Sequence, residues 1–212
     1  MEGVFEMIGL KVGAKKEKGV ATLSTYEFKE EENFLYNLRA MRGSGGMMVM
    51  EDGKYVRLHV NGELMMSDTR MEKNSNYEFV RDAKGKVLIA GLGIGLILKN
   101  VLDKLKNKTI TEIVIVEKYQ DVIDLIAPYF KKHKNIKMIC ADIFDWRPEK
   151  GTKFDTIYFD IWPDISQDNL PEMAKLHQAF KGYKVKGGWM DSWMSDYLKN
   201  QRKRDQRSSY YW

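Results

Sequence analysis

At 212 residues the chain exceeds the roughly 150 of a typical domain, and its 43% apolar content is ordinary for a soluble protein with its own core, so it reads as one domain with an appendage. A single cysteine, Cys140, excludes an internal disulfide, and three scattered histidines, His59, His133 and His177, provide no zinc-ligand spacing. The net charge of +5 is concentrated at one end, because Lys199 to Trp212 carries five cations against Asp205 alone. Glu2 and Glu6 stand where a secretory signal carries Lys or Arg. The longest apolar run, Val87 to Leu98, has 12 residues including three glycines, short of the roughly 20 that cross a bilayer. A cytoplasmic protein with no membrane partner is the expectation.

Taken in chain order, residues 1–85 read as a small domain. Lys29 to Arg42 begins with acids and ends with bases, as a helix dipole favours, and GSGG from Gly43 to Gly46 stops it. Met47 to Met50, Lys54 to Val60 and Glu63 to Ser67 are strand-like and separated by the turn-forming EDG and NGE, which predicts an antiparallel β-meander. A helix over roughly Thr69 to Ala83 leads onward. From residue 86 to 212 short apolar runs alternate with amphipathic stretches. Strands are predicted at Lys86–Ala90, Glu112–Glu117, Ile136–Cys140, Phe154–Asp160 and Gly188–Ser192. Helices are predicted at Gly95–Lys106, Tyr119–Lys131, Asn169–Gly182 and Trp193–Arg207, with a short one around Phe144–Glu149. The fold class is therefore α/β: a doubly wound, mostly parallel, Rossmann-like sheet preceded by an N-terminal antiparallel β-meander and helix.

The most informative stretch is VLIAGLGIGLILKNVL, with Gly91, Gly93 and Gly95 at alternate positions between a strand and a helix. Glycines there permit a tight turn, and either steric need or close approach of a ligand to the backbone explains them. Glu117 ends the next strand 24 residues after Gly93, a distance that suits a carboxylate accepting hydrogen bonds from both ribose hydroxyls. The dinucleotide fingerprint requires a third glycine at the position held by Leu96, so that cofactor class does not fit. Past the third strand, CADIFDW places Asp142, which serves equally as a helix N-cap.

GxGxG followed by Glu117 resembles motif I and the second-strand ribose acid of class I S-adenosylmethionine-dependent methyltransferases. The resemblance implies cofactor contacts from Gly91, Leu92, Gly93, Gly95, Glu117 and its neighbour Lys118, with Asp142 on the adenine amino group and Ile143 against the ring. From the meander through Asp160 the chain is similar to the spermidine synthase-like branch, whose acid, Tyr and Glu pattern before the first strand has counterparts in Asp68, Glu72, Tyr77 and Glu78. That resemblance places Tyr77 and Glu78 at the substrate.

FDTIYFDIWPDI ends the fourth strand with Asp160, Trp162 and Asp164, where the superfamily carries acceptor-side residues. Asp160 is the candidate that contacts the cofactor, holds an amine or amide acceptor and removes its proton; Trp162 and Asp164 are candidate substrate contacts. Trp162 either stacks on a flat acceptor or sulfonium, or is a core aromatic. Aminopropyltransferases carry an acid in the glycine turn and a DSSDP-like loop; Ile94 and DIWPD stand here instead.

The leading expectation is a methyltransferase using S-adenosylmethionine on an unidentified acceptor. One alternative is an aminopropyltransferase using decarboxylated S-adenosylmethionine and a polyamine. Another is a non-catalytic module that binds nucleic acid through its basic tail. A homo-oligomer is expected on scaffold resemblance. SSYYW is the only candidate for a sixth strand, and Tyr210, Tyr211 and Trp212 are expected to dock on the core or on a partner.

Overall fold

The computed structural model describes residues 4–44 and 46–208. Along the chain lie α1 (Val4–Ile8), β1 (Lys15–Lys18), β2 (Ala21–Phe28), α2 (Phe34–Ser44), β3 (Gly53–Val60), β4 (Glu63–Ser67), α3 (Arg70–Ser75) and α4 (Tyr77–Asp82). Then follow β5 (Gly85–Ala90), α5 (Leu96–Asn100), α6 (Leu102–Lys106), β6 (Ile110–Glu117), α7 (Gln120–Ile126), β7 (Ile136–Cys140), β8 (Phe154–Phe159), α8 (Leu170–Phe180), β9 (Lys184–Ser192) and α9 (Ser195–Ser208). Two compact units interleave in sequence: Met1–Val80 with Leu92–Val101 and Tyr119–His133, and Arg81–Gly91 with Leu102–Lys118 and Lys134–Trp212. Among the described residues, no helix is long and apolar enough to cross a membrane.

The first unit holds an antiparallel sheet in the order β1-β2-β3-β4. β3 and β4 match two strands of the predicted meander, but β1 and β2 were not predicted, and Met47–Met50 is not a strand. Asn37 on α2 takes both backbone groups of Met50, its Nδ2 donating to the Met50 carbonyl at 2.8 Å and its Oδ1 accepting from the Met50 N–H at 3.0 Å. With those groups satisfied by a side chain, no ladder forms there. The place beside β3 is filled by β2 along its full length, from Ala21 opposite Val60 to Phe28 opposite Gly53. The helix predicted from Lys29 begins at Phe34, because residues 30–33 turn, Glu30 donating its N–H to Asp52 at 2.6 Å and Asn33 donating to the Lys29 carbonyl. α7 packs on β1 and β2. Asp121 accepts the Val20 N–H at 3.0 Å, and Lys16 donates to the Tyr129 hydroxyl at 2.7 Å.

The second unit holds a wholly parallel sheet in the order β7-β6-β5-β8-β9. Numbered from its own first strand this is 3-2-1-4-5, the Rossmann order, in which direction of winding reverses between the first and fourth strands. β5 and β8 are buried over their last four residues, as central parallel strands must be. Phe154, Ile157 and Phe159 of β8 join Met173, Leu176 and Phe180 of α8 in one core, the helix positions falling at i, i+3 and i+7.

Helix boundaries differ from expectation where the backbone finds other partners. The helix predicted over Gly95–Lys106 is two short helices, parted at Val101, whose N–H is shared between the carbonyls of Ile97 and Leu98. The α-helix predicted from Tyr119 to Lys131 stops at Ile126 and finishes as a 3-10 turn containing Pro128. Around Phe144 there is a turn and no helix; the Arg147 guanidinium takes the carbonyls of Ile143, Phe144 and Trp146 and lies 5.1 Å from the Phe180 ring. SSYYW, with Tyr210, Tyr211 and Trp212, lies outside the described residues.

Asp68, directly after β4, is buried and extends the ladder: its N–H donates to the Val56 carbonyl and its Oδ1 accepts the Val56 N–H at 2.7 Å. Burial pushes its carboxyl pKa up, with the Val56 N–H opposing. Asp68→Ala is expected to cost about 1–3 kcal/mol in urea unfolding by orphaning that N–H, whereas Asp68→Asn, which keeps an acceptor, stays close to the parent.

Candidate functional site

At the carboxyl edge of the parallel sheet, consecutive strands place several of the expected residues together. Gly91 follows β5, Glu117 ends β6 with Lys118 after it, Asp142 and Ile143 lie just past β7, and Asp160 follows β8. In register, Ala90 stands beside Val116 and Phe159, and Glu117 stands beside Cys140, so the row is set by the ladder itself. The ladder continues one step beyond the strands: the Gly91 N–H donates to the Val116 carbonyl at 2.9 Å and the Asp160 N–H to the Ala90 carbonyl at 2.8 Å.

Gly91 holds the switch point between β5 and β8. Its φ is +94°, and a Cβ there would come within 2.0 Å of the Asp160 carbonyl oxygen. Gly93 and Gly95 also have positive φ, and a Cβ would meet the Met66 sulfur at 1.9 Å in the first case and the Phe130 ring at 2.7 Å in the second. All three glycines therefore have a packing reason within the chain.

The three acids differ in environment. Glu117 is 7% exposed. Asp142 is engaged at both oxygens, Oδ1 accepting the Phe144 N–H at 3.0 Å and Oδ2 lying 3.0 Å from Lys118 Nζ. The Phe144 N–H, with Lys118 beside it, holds the Asp142 carboxyl below the usual carboxylate range against the opposing effect of burial. Asp142 thus caps its turn, and each oxygen retains one lone pair for another donor. Asp160 is the reverse. Among the described residues neither cation nor hydrogen-bond donor partners its carboxylate, and although some of the residue's surface stays accessible, desolvation by the surrounding protein pushes its pKa up to about 7.

The other expected residues have their own surroundings. Trp162 is in the core, 7% exposed, with its indole N–H donating to Glu172 at 2.9 Å, which is the core-aromatic alternative of its two readings. Ile143 is likewise a core residue. Asp164 is exposed and fixes its loop, accepting from Asn169 through both its carbonyl and its carboxylate. Tyr77, 62% exposed, and Glu78 open α4 at the surface. Sequence reasoning missed Met66 and Glu172. No local pattern marks either, because each gains its role from a contact across the chain.

No protein-family model matches this chain, and no curated protein matches it. Among solved structures it is similar to an S-adenosylmethionine-dependent methyltransferase from Clostridium acetobutylicum, with 18% identity and a TM-score of 0.40 over 56% of this chain and 48% of that one. The N-methyltransferase NodS from Bradyrhizobium japonicum overlaps 55% of this chain and 64% of its own, with 14% identity and a TM-score of 0.44. The CcbJ methyltransferase from Streptomyces caelestis overlaps 55% and 46%, with 14% identity and a TM-score of 0.41. The chain thus spans less than two thirds of the length of these proteins.

Two outcomes follow from this geometry. Gly91→Ala should lower stability by more than about 2 kcal/mol in urea unfolding, because the strand ends must part to admit the methyl and the backbone stays in the left-handed region. Asp160 holds its proton more tightly in the native state between its unfolded pKa of about 3.9 and its folded value of about 7. Its contribution to stability is full below that interval and is lost as pH rises through it, by at most about 1.4 kcal/mol per unit. Asp160→Asn should therefore gain on the parent from pH 5 to pH 8, as read by urea midpoints at each pH.

Proposed function

We propose that the carboxyl edge of the parallel sheet binds S-adenosylmethionine and that the protein is a methyltransferase, with Asp160 serving the acceptor. The observation that carries this reading is the row formed by Gly91, Glu117, Asp142 and Asp160 at four consecutive strand ends around the switch point, where open α/β sheets bind ligands.

The donor set fits the cofactor. A nucleoside presents hydroxyl and amino donors, and Glu117 and Asp142 are acceptors when ionised. In this reading Glu117 takes the ribose hydroxyls, and Asp142 takes the adenine amino group with its remaining lone pairs while Lys118 and Phe144 hold it in place. Ile143 contributes backbone and apolar contact. Leu92, Gly93 and Gly95 take a cofactor role through the backbone. When bound, the cofactor supplies an electrophilic methyl group on a sulfonium.

Asp160 performs the protein's own chemistry. A carboxyl with a pKa near 7 is partly ionised at neutral pH, so it accepts a proton from a nucleophilic acceptor, holds that acceptor by the same hydrogen bond, and releases the proton to water afterwards. Lack of an internal cation is what makes it a base, since a paired carboxylate is a weaker one. The acceptor is a group that carries a removable proton on a nucleophilic atom.

The test separates the two roles. Glu117→Ala should weaken calorimetric binding of S-adenosylhomocysteine by about 1.5–3 kcal/mol. Asp160→Asn should leave that affinity within about twofold and lower turnover by about 100-fold or more, abolishing a rise in parent turnover through about pH 7. Equal loss of cofactor binding in both variants would overturn the division of roles.

A further inference from the structure

Met66 lies in β4, opposite Leu58 of β3, and reaches the glycine turn. Its Sδ accepts the Ile94 N–H at 3.2 Å and occupies the space against Gly93 that a Cβ would need. This amide of the glycine turn is thus already covered, by the poorest acceptor a side chain offers, since thioether sulfur bonds an N–H weakly and an oxygen does so better. The contact is also easily reversed. Methionine is unbranched with three rotatable side-chain bonds, and Met66 is half-buried, so the thioether can swing aside while β4 stays in place. The strand itself is anchored by its pairing with β3 and by the two Asp68–Val56 hydrogen bonds.

We infer that the Met66 thioether is a displaceable occupant of the cofactor's place at the glycine turn, and that the cofactor binds only after this side chain has left Ile94. The inference rests on the reading of that turn as cofactor-binding. Its consequence is thermodynamic: apparent affinity is the intrinsic affinity reduced by the fraction of molecules with the turn uncovered, so position 66 sets the cofactor concentration at which the protein fills. A further consequence is selectivity, because a ligand with no acceptor for the Ile94 N–H gains nothing by displacing the sulfur.

The test titrates S-adenosylhomocysteine, which cannot turn over, into the full-length protein and its Met66→Ala variant by calorimetry. In parallel, the Met66 methyl resonance is followed in protein carrying 13C-methyl methionine, assigned among the 13 methionines by its loss in Met66→Leu. Binding about three- to tenfold tighter in Met66→Ala is expected, as for a turn covered about 70–90% of the time, together with a shifted parent methyl signal at saturation. If the parent binds but Met66→Ala binds equally or more weakly, or the methyl signal stays where it was, Met66 is no occupant and the inference is overturned while the cofactor reading stands. If folded parent and variant both fail to bind, the cofactor reading is overturned and this inference falls with it.

Discussion

The carboxyl ends of β5 and β8 come together because position 91 has no side chain. Gly91 in the left-handed region lets the Asp160 carbonyl approach to where a methyl group would stand. The Asp160 N–H then reaches the Ala90 carbonyl, while Gly91 itself remains bonded to Val116 of β6. One glycine thus ties three strand ends into a continuous edge and fixes where the chain presents the acid after β8. The strand order puts its switch point here, and this close approach decides which residue follows β8 beside it.

Along that edge the protein separates its carboxylates by environment. Asp142 is given a backbone N–H and a lysine, and stays ionised. Asp160 is given neither and is desolvated, so its proton is held into the neutral range. Two acids on the same edge of the sheet, separated by β6 and β5, thereby differ in acidity, the condition under which one acts as a fixed acceptor and the other moves protons. Trp162, which follows closely, contributes differently: tied to Glu172 and packed against the core, it stiffens the segment that carries Asp160.

The parallel sheet was legible because its strands are dense apolar runs such as KVLIA and EIVIVE, bounded by glycines and charges; all five strands were expected, and β7 and β6 end where predicted. The acids could be placed because strand ends could be. The first unit hid more. β1 is KKEK, exposed throughout and held by its ladder to β2, so it has no apolar alternation to read. β2 does alternate, but through Ala21, Leu23 and Thr25, a pattern diluted by its hydroxyl residues. Met47–Met50 reads as a strand on composition alone, and only the side chain of Asn37, 13 residues before Met50, shows why it is none. The burial of Trp162, the titration of Asp160 and the position of Met66 over Ile94 all depend on groups distant in sequence, and a single chain carries no local trace of them.

In the proposed reading this edge holds a nucleoside through Glu117. Native mass spectrometry of the purified protein mixed with S-adenosylhomocysteine tests it most directly: a one-to-one adduct on the parent that disappears in Glu117→Ala is the predicted result. A folded parent that carries no adduct at saturating ligand, or an adduct that survives unchanged in Glu117→Ala, contradicts it.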